Sequence, residues 1–293
     1  MKKNIFIFAV ATLLMASCEK GGESVVANPD EIRFETSISR VAGATFEEGD
    51  TFGLYAVEYN GEEVADLQVG GNYLNNEAVT LTGGVWTPSR KLYWSAAPCD
   101  FYAIYPQQNV EAMEDVLFHI ATDQSTPRTA EALGGYEASD LMWAKAEKVS
   151  REDGSVKLAF QHMMSKLVVD IVRGPSYEGE LPENIEVHIY NTATTARINW
   201  RIGSLEKYLF SENKTIKMKQ VDGDSFEAIV VPQFIERSTP LVEVTMDGIA
   251  YLLEYDMSFR PGIQHTITVT LNTSPDQEKI EISIDGSTGD WQE

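Results

Sequence analysis

The sequence predicts an all-β protein built from two β-sandwich domains in tandem. Three observations support this prediction. Apolar and polar residues alternate with period two along most of the chain, Gly, Pro and Asn separate the alternating runs, and each half contains about seven short runs. Only "TAEALGGYEASD" suits a short helix. Short strands divided by turn residues are typical of sandwiches, in which two sheets pack face to face.

The N-terminal segment predicts export as a lipoprotein. Lys2 and Lys3 precede the apolar run "IFIFAVATLLMA", which is short for a bilayer span and is typical of a signal peptide over residues 1–17. Small residues stand directly before Cys18, so we expect cleavage there and acylation of that cysteine, as by palmitate. The alternative is an ordinary secretory signal followed by a chance cysteine. Residues 18–29 are polar and contain Gly, which is typical of a tether.

The first predicted domain spans residues 30–154 and begins with a strand over residues 30–40. Ile32, Phe34 and Ile38 fall on one face of this strand, and charged and polar residues fall on the other. Further strand-like runs follow in chain order: "TFGLYAVEY", "KLYWSA", "DFYAIYP" and "DLMWAKAEKV".

The second predicted domain spans residues 155–293 and follows the linker "REDGSV". Its strand-like runs are "VKLAFQHMMSKLVVDIV", "NIEVHIYNT", "TARINWRI", "KTIKMKQV", "SFEAIVVPQ", "PLVEVTM", "IAYLLEYDM", "HTITVTLN" and "KIEISID". Asp247-Gly248 joins two alternating runs, which is a strong hairpin signal. An alternative boundary lies about twenty residues later, because "LAFQHMMSKLVVDIVRG" also suits the last strand of the first sandwich.

The composition and motifs argue against nucleic-acid binding and against catalysis. Without Lys2 and Lys3 the chain has 21 Lys and Arg against 45 Asp and Glu, a net charge of about −24 that repels nucleic acid. The sequence contains no G-x-S-x-G, H-E-x-x-H or Gly-rich phosphate motif, and its acidic clusters lack EF-hand spacing. Cys99 and four scattered histidines read as structural. We therefore expect no enzymatic activity, no metal and no cofactor. The histidines are His119, His162, His188 and His265.

Several stretches, in order, resemble one known family. The lipobox at Cys18 is followed by "IRFETSISR", "FEEGDTFGLYAV", "WTPSRKLYW", "DFYAIYP", "LAFQHMMSKLVVDI" and the terminal "ISIDGSTGDWQE". Together they resemble the fimbrillin-like lipoproteins of Bacteroidales, the subunits of type V pili, over nearly the whole mature chain. The resemblance implies two transthyretin-like β-sandwich domains and an outer-membrane lipoprotein precursor. It also implies assembly with other pilus subunits into a cell-surface fimbrium that supports cell adhesion.

The resemblance further implies how such subunits assemble. An arginine-specific protease removes the first strand with its lipid, and the open groove takes a donor strand from a neighbouring subunit. The matching position in this sequence is Arg40, with the scissile bond to Val41, so the departing strand is residues 30–40. Loss of a strand with apolar anchors exposes an apolar groove and unpaired backbone groups, which a replacement strand would satisfy.

The C-terminal segment, residues 277–293, is the candidate donor. It places Ile280, Ile282 and Ile284 on one face, in the same alternation as the strand that would leave. The alternative is an ordinary terminal strand of the second sandwich. For the protein as a whole, the alternative is a surface lipoprotein that does not polymerise. Such a protein would be a pilus tip or anchor, or a module that binds glycan or host protein.

Overall fold

The computed structural model describes residues 28–38, 46–272 and 282–290, and nearly all of its regular structure is β, which confirms the predicted all-β class. The strands of the first half are β1 (Phe34–Ile38), β2 (Thr51–Asn60), β3 (Glu63–Val64), β4 (Leu74–Thr82), β5 (Val85–Pro88), β6 (Cys99–Tyr105), β7 (Val116–His119), β8 (Met142–Val149) and β9 (Val156–His162). The first strands of the second half are β10 (Ser165–Arg173), β11 (Ile185–Ala193), β12 (Thr195–Asn199), β13 (Ser204–Lys207), β14 (Asn213–Lys217), β15 (Lys219–Asp222) and β16 (Ser225–Val230). The remaining strands are β17 (Phe234–Ile235), β18 (Pro240–Met246), β19 (Ile249–Glu254), β20 (Met257–Ser258), β21 (Ile263–Leu271) and β22 (Ile282–Asp290).

Within residues 28–38, 46–272 and 282–290, helical structure is confined to short pieces. The helix α1 (Gly135–Ser139) lies between β7 and β8, and a 3-10 turn, Arg151–Asp153, lies between β8 and β9. In the described ranges, no helix has the length and apolar character needed to cross a membrane.

The first half is built on one sheet that is covered on both faces. Its strand order is β1–β9–β8–β6–β2–β4–β5, and β3 pairs with β2. The central strand β6 is buried at every position because its sequence, "CDFYAIY", is almost wholly apolar. Phe101 belongs to a core inside the first half, whereas Tyr102 belongs to a core that continues into the second half. Adjacent aromatic residues therefore divide between two cores.

Two facing sheets enclose the core of the second half. One sheet has the order β15–β16–β10–β21–β22, and the other has the order β14–β11–β18–β19. Leu167 of β10 and Val242 of β18 are completely buried in one shared cluster. The predicted hairpin is confirmed, because β18 and β19 pair antiparallel. Asp247 and Gly248 have φ values of 48° and 80°, as a type I′ turn requires.

The chain changes from the first-half sheet to the second-half sheets after His162. β9 pairs with β8 and β1, whereas β10 lies in the middle of the five-stranded sheet. The predicted ranges 30–154 and 155–293 place β9 in the second domain, whereas its pairing partners belong to the first-half sheet. The physical reason is local: "REDGSV" forms a tight turn, with Gly154 at φ 76°, and returns the chain to pair with β8.

The two halves also share a small sheet. β7 of the first half pairs antiparallel with β12 of the second, in the order β13–β12–β7. Phe118 of β7 and Ile198 of β12 belong to the same buried cluster as Leu167 and Val242. The halves are consequently joined by backbone hydrogen bonds as well as by a common core.

Candidate functional site

The first strand lies parallel to β9 at one end of the first-half sheet. Phe34 is opposite Val156, and Ile38 is opposite Phe160. The backbone ladder continues before β1, where the amide of Val156 donates a hydrogen bond of 2.8 Å to the carbonyl of Arg33. β9 therefore forms one wall of the site that β1 occupies.

The side chains of the first strand anchor it in the core of the first half. Ile32 is only 3% exposed, and Phe34 and Ile38 are partly buried against the same core. The ring of Phe34 meets that of Phe52 edge to face, with the centroids 6.2 Å apart. The predicted apolar face of the strand is thus the face that packs inward.

A second wall lies opposite β9. The amide of Ile32 donates to the carbonyl of Leu92 at 2.9 Å, and the amide of Trp94 donates to the carbonyl of Asp30 at 3.0 Å. Trp86 of β5 donates its indole N–H to the Thr36 hydroxyl at 2.8 Å. β5 and β1 are the two opposite ends of the sheet order. The sheet therefore curls over its core, and the segment 28–38 closes the gap between its ends.

Charged contacts at the rim add little to the hold on this strand. Asp30 pairs with Arg151 at 2.7 Å, and Glu31 pairs with Lys91 at 3.3 Å. Both ion pairs are solvent-exposed, and such pairs contribute about 0–1 kcal/mol. Apolar burial, the backbone ladder with β9 and the two backbone hydrogen bonds to residues 92 and 94, rather than charge, hold the first strand in place.

The C-terminal strand β22 is an edge strand of the second half. It pairs antiparallel with β21, from Ile263 opposite Asp290 to Leu271 opposite Ile282. Ile284 is partly buried against the second-half core. A side chain at Gly286 would meet the Tyr255 hydroxyl, since a Cβ atom there would lie 2.2 Å from that oxygen. In the single chain this segment therefore occupies the position of an ordinary terminal strand.

The structure describes some of the predicted site residues and leaves others outside its ranges. Ile32, Phe34 and Ile38 pack together in the first-half core, and Ile284 lies against the second-half core. Ile282 belongs to β22 by its backbone. Four predicted positions lie outside the described residues: Cys18, Arg40, Val41 and Ile280.

The residues first considered for chemistry lie in buried surroundings. Burial raises the pKa of the Cys99 thiol to about 11, which keeps it protonated and unreactive. Burial, helped by Arg260, lowers the pKa of His265 to about 4. His162 Nδ1 lies 2.8 Å from Asp140 Oδ1, and both side chains are buried. Among the described residues, no group of three or more His, Cys, Asp or Glu is placed to hold a metal ion.

Sequence reasoning did not single out a polar cluster between the two halves. Tyr105 and Arg128 donate to Asp50 at 3.0 and 2.7 Å, and Lys166 of β10 pairs with Glu227 of β16 at 2.8 Å. These groups line a cavity of about 250 Å³. Because the cations pair with neighbouring acids, the cluster presents no excess of positive charge to an anionic ligand.

A family model described as fimbrillin-like matches residues 39–291 of the chain. The chain belongs to the fimbrillin-like family. This confirms the resemblance noted in the sequence, and it makes the protein a structural subunit related to pili and adhesion at the cell surface. No curated protein matches the sequence.

Solved structures similar to this chain include proteins from Bacteroides species. A candidate cell adhesion protein from Bacteroides uniformis is 22% identical, with a TM-score of 0.64, over 89% of this chain and 98% of the other. Another from Bacteroides ovatus is 17% identical, with a TM-score of 0.66, over 90% and 98%. A fimbrial protein from Bacteroides ovatus is 17% identical, with a TM-score of 0.50, over 85% of this chain and 51% of that one. At these identities the likeness concerns the fold.

Proposed function

We propose that this fimbrillin-like chain is a type V pilus subunit that is exported as a lipoprotein, cut after Arg40 and polymerised by strand exchange. The observation behind the proposal is the position of segment 28–38, which is inserted between β9 and the 92–94 segment with its apolar face in the core. The family match begins at residue 39, so residues 30–38 of the strand proposed to leave lie outside the matched region.

Removal of the first strand would leave a groove that requires a new occupant. Burying a large apolar side chain completely contributes about 1.5–3 kcal/mol. Ile32 is fully buried, but Phe34 and Ile38 are only partly buried, so the three together contribute on the order of 3–6 kcal/mol. Backbone groups of β9 and of residues 92 and 94 would also lose their partners. A strand that restores both the apolar burial and the backbone hydrogen bonds would bind tightly and dissociate slowly.

The C-terminal segment 277–293 is the proposed donor, with Ile280, Ile282 and Ile284 as its anchors. Among the described strands, β22 has a neighbour on one side only, so detaching it breaks one backbone ladder. Insertion between two walls would form contacts on both sides. Because the groove and the donor are different surfaces, each subunit can accept one strand and give another, which builds open filaments.

The proposed route also assigns partners and compartments. Acylated Cys18 would hold the precursor at the outer membrane, an arginine-specific protease would cut between Arg40 and Val41, and neighbouring fimbrillins would supply and accept strands. The resulting fimbrium would support adhesion, the role named for the two similar Bacteroides structures.

A second candidate function is a surface lipoprotein that does not polymerise, such as a pilus tip or anchor, or a binding module for glycan or host protein. One observation favours it. β22 is already seated beside β21, with Ile284 against the core and Gly286 against Tyr255. A subunit that keeps this arrangement would not donate a strand.

The Arg40→Ala variant tests the polymerisation route. We expect full-length lipidated monomer and no surface polymer, because the first strand cannot leave. The matched control is Arg33→Ala, which removes an exposed arginine from the same segment and leaves the proposed cut intact. The control should polymerise normally. Surface polymer that persists in Arg40→Ala would contradict the proposal.

A further inference from the structure

The inward face of the first strand contains one polar residue among its apolar anchors. Counting every second residue, the face reads Ile32, Phe34, Thr36 and Ile38, and we call the three apolar residues the anchor positions. Thr36 is partly buried, and its hydroxyl accepts the hydrogen bond from Trp86 Nε1 at 2.8 Å. A strand that replaces the first strand must therefore accept a hydrogen bond from the indole N–H as well as fill the apolar pockets.

The indole of Trp86 is held in its orientation by neighbouring rings. Phe46 lies edge to face with it at 5.0 Å between centroids, and Phe52 lies at 4.8 Å. The N–H therefore points at the place of residue 36 whichever strand occupies the groove. If an apolar side chain covers that place, the donor loses its partner and is shielded from water, which weakens binding of the strand.

The chain's own C-terminal segment does not supply a hydroxyl group at this place. We considered every register, parallel and antiparallel, that puts two of the isoleucines Ile280, Ile282 and Ile284 at the anchor positions. In all but one of these registers the residue that meets the indole is either an isoleucine or Gly286. The exception is antiparallel, with Ile282 and Ile280 at the first two anchor positions. It puts Glu278 beside the indole and Asp276 at the anchor position of Ile38, so two acidic side chains would enter an apolar face. No register puts all three isoleucines at the three anchor positions. The C-terminal segment thus alternates like a donor strand, but it does not combine apolar residues at the anchor positions with a hydroxyl opposite the indole.

We propose that the groove takes its strand from a different pilus subunit, one whose sequence reads apolar-x-apolar-x-Ser/Thr-x-apolar. The inference rests on the proposed strand exchange and adds a rule for partner choice to it. Specificity arises because a mismatched strand leaves a buried donor unpaired. In a filament this subunit would then alternate with, or adjoin, other subunits instead of forming a run of identical copies.

Peptide competition on the full chain tests the rule. The chain is cut at an engineered site between residues 40 and 41, so that the first strand stays bound without a covalent link. Its displacement is followed with four competitors: the peptide of residues 31–39, its Thr36→Ser and Thr36→Val forms, and the peptide of residues 279–288. Thr36→Val keeps the side-chain shape and removes the acceptor.

The Ser form should compete like the natural peptide, and the Val form about 3- to 10-fold less well. The tail peptide should also be the weaker competitor. In a chain carrying Trp86→Phe, the difference between the Thr and Val peptides should disappear, since the indole N–H is gone. The peptide comparison on the unsubstituted chain stands even if the Trp86→Phe chain does not fold.

Two results would overturn the inference while strand exchange stands: equal competition by the Thr and Val peptides, or a tail peptide that competes as well as the natural strand. If no peptide, including the natural one, displaced the first strand, the proposed exchange itself would fail.

Discussion

The substitution Ile32→Ala distinguishes a first strand that is lost on assembly from one that is retained in the filament. Ile32 is 3% exposed and packs in the first-half core, and its amide bonds to Leu92. In the unprocessed chain, truncation leaves a cavity between two walls that the backbone ladders keep from closing. In a filament assembled after cleavage at Arg40, residue 32 is no longer present.

The size of the effect follows from this packing. Ile→Ala substitutions in cores cost about 2–5 kcal/mol. The cost lies above the low end of that range when the surrounding residues cannot close the cavity. We therefore expect a loss of about 3 kcal/mol in the free energy of unfolding of the precursor. The same substitution should leave the stability of the filament unchanged.

Urea unfolding followed by tryptophan fluorescence measures both forms. The precursor is kept uncut by Arg40→Ala, and filaments are prepared from chains with the natural site. Arg33→Ala is the control, because its side chain is exposed on the same segment and should change precursor stability by less than about 0.5 kcal/mol. A filament destabilised as much as the precursor would refute the reasoning, since it would mean that Ile32 remains in the assembled subunit.

Further predictions concern the C-terminal strand and the buried titratable groups. Deleting residues 277–293 should give a folded subunit that cannot extend a filament in electron micrographs, and polymerisation of the truncated chain would exclude the donor role. Gly286→Val should lower the urea midpoint, because the side chain would collide with the Tyr255 hydroxyl, and an unchanged midpoint would contradict the contact. Cys99, with its pKa raised to about 11, should resist iodoacetamide at pH 8 in the folded chain and react after unfolding. The pKa of His265, about 4, lies below its unfolded value of about 6.5, so the unfolded chain binds the proton more strongly. The stabilisation by neutral His265 is complete above pH 6.5 and is lost as pH falls towards 4, up to about 3 kcal/mol, and His265→Gln should flatten that part of the pH profile of stability.

Local patterns predicted the parts of the fold that depend on neighbouring residues. The turn at Asp247-Gly248 was identifiable because only a few residue pairs suit two positive φ values. The run "DFYAIYP" was predicted to be strand-like, and strand alternation explains why Phe101 and Tyr102 lie in different cores. The inward face of the first strand, with Ile32, was predicted in the same way.

Features that depend on distant pairing were not predictable. The return of the chain at Gly154, which brings β9 beside β8, looks like a linker in sequence because both roles favour Gly and polar residues. Likewise, no local signal links Thr36 with Trp86, which are 50 residues apart. The parallel pairing of β1 with β9 and the pairing of β7 with β12 are set by tertiary packing, which alternation alone does not encode.

The first residue of the chain in cell-surface filaments tests the central claim most directly. Filaments are sheared from cells, and the N-terminal peptide is identified by mass spectrometry. The account predicts a chain that begins at Val41, with the first strand and its lipid gone. Filaments whose subunits begin at acylated Cys18 would contradict it.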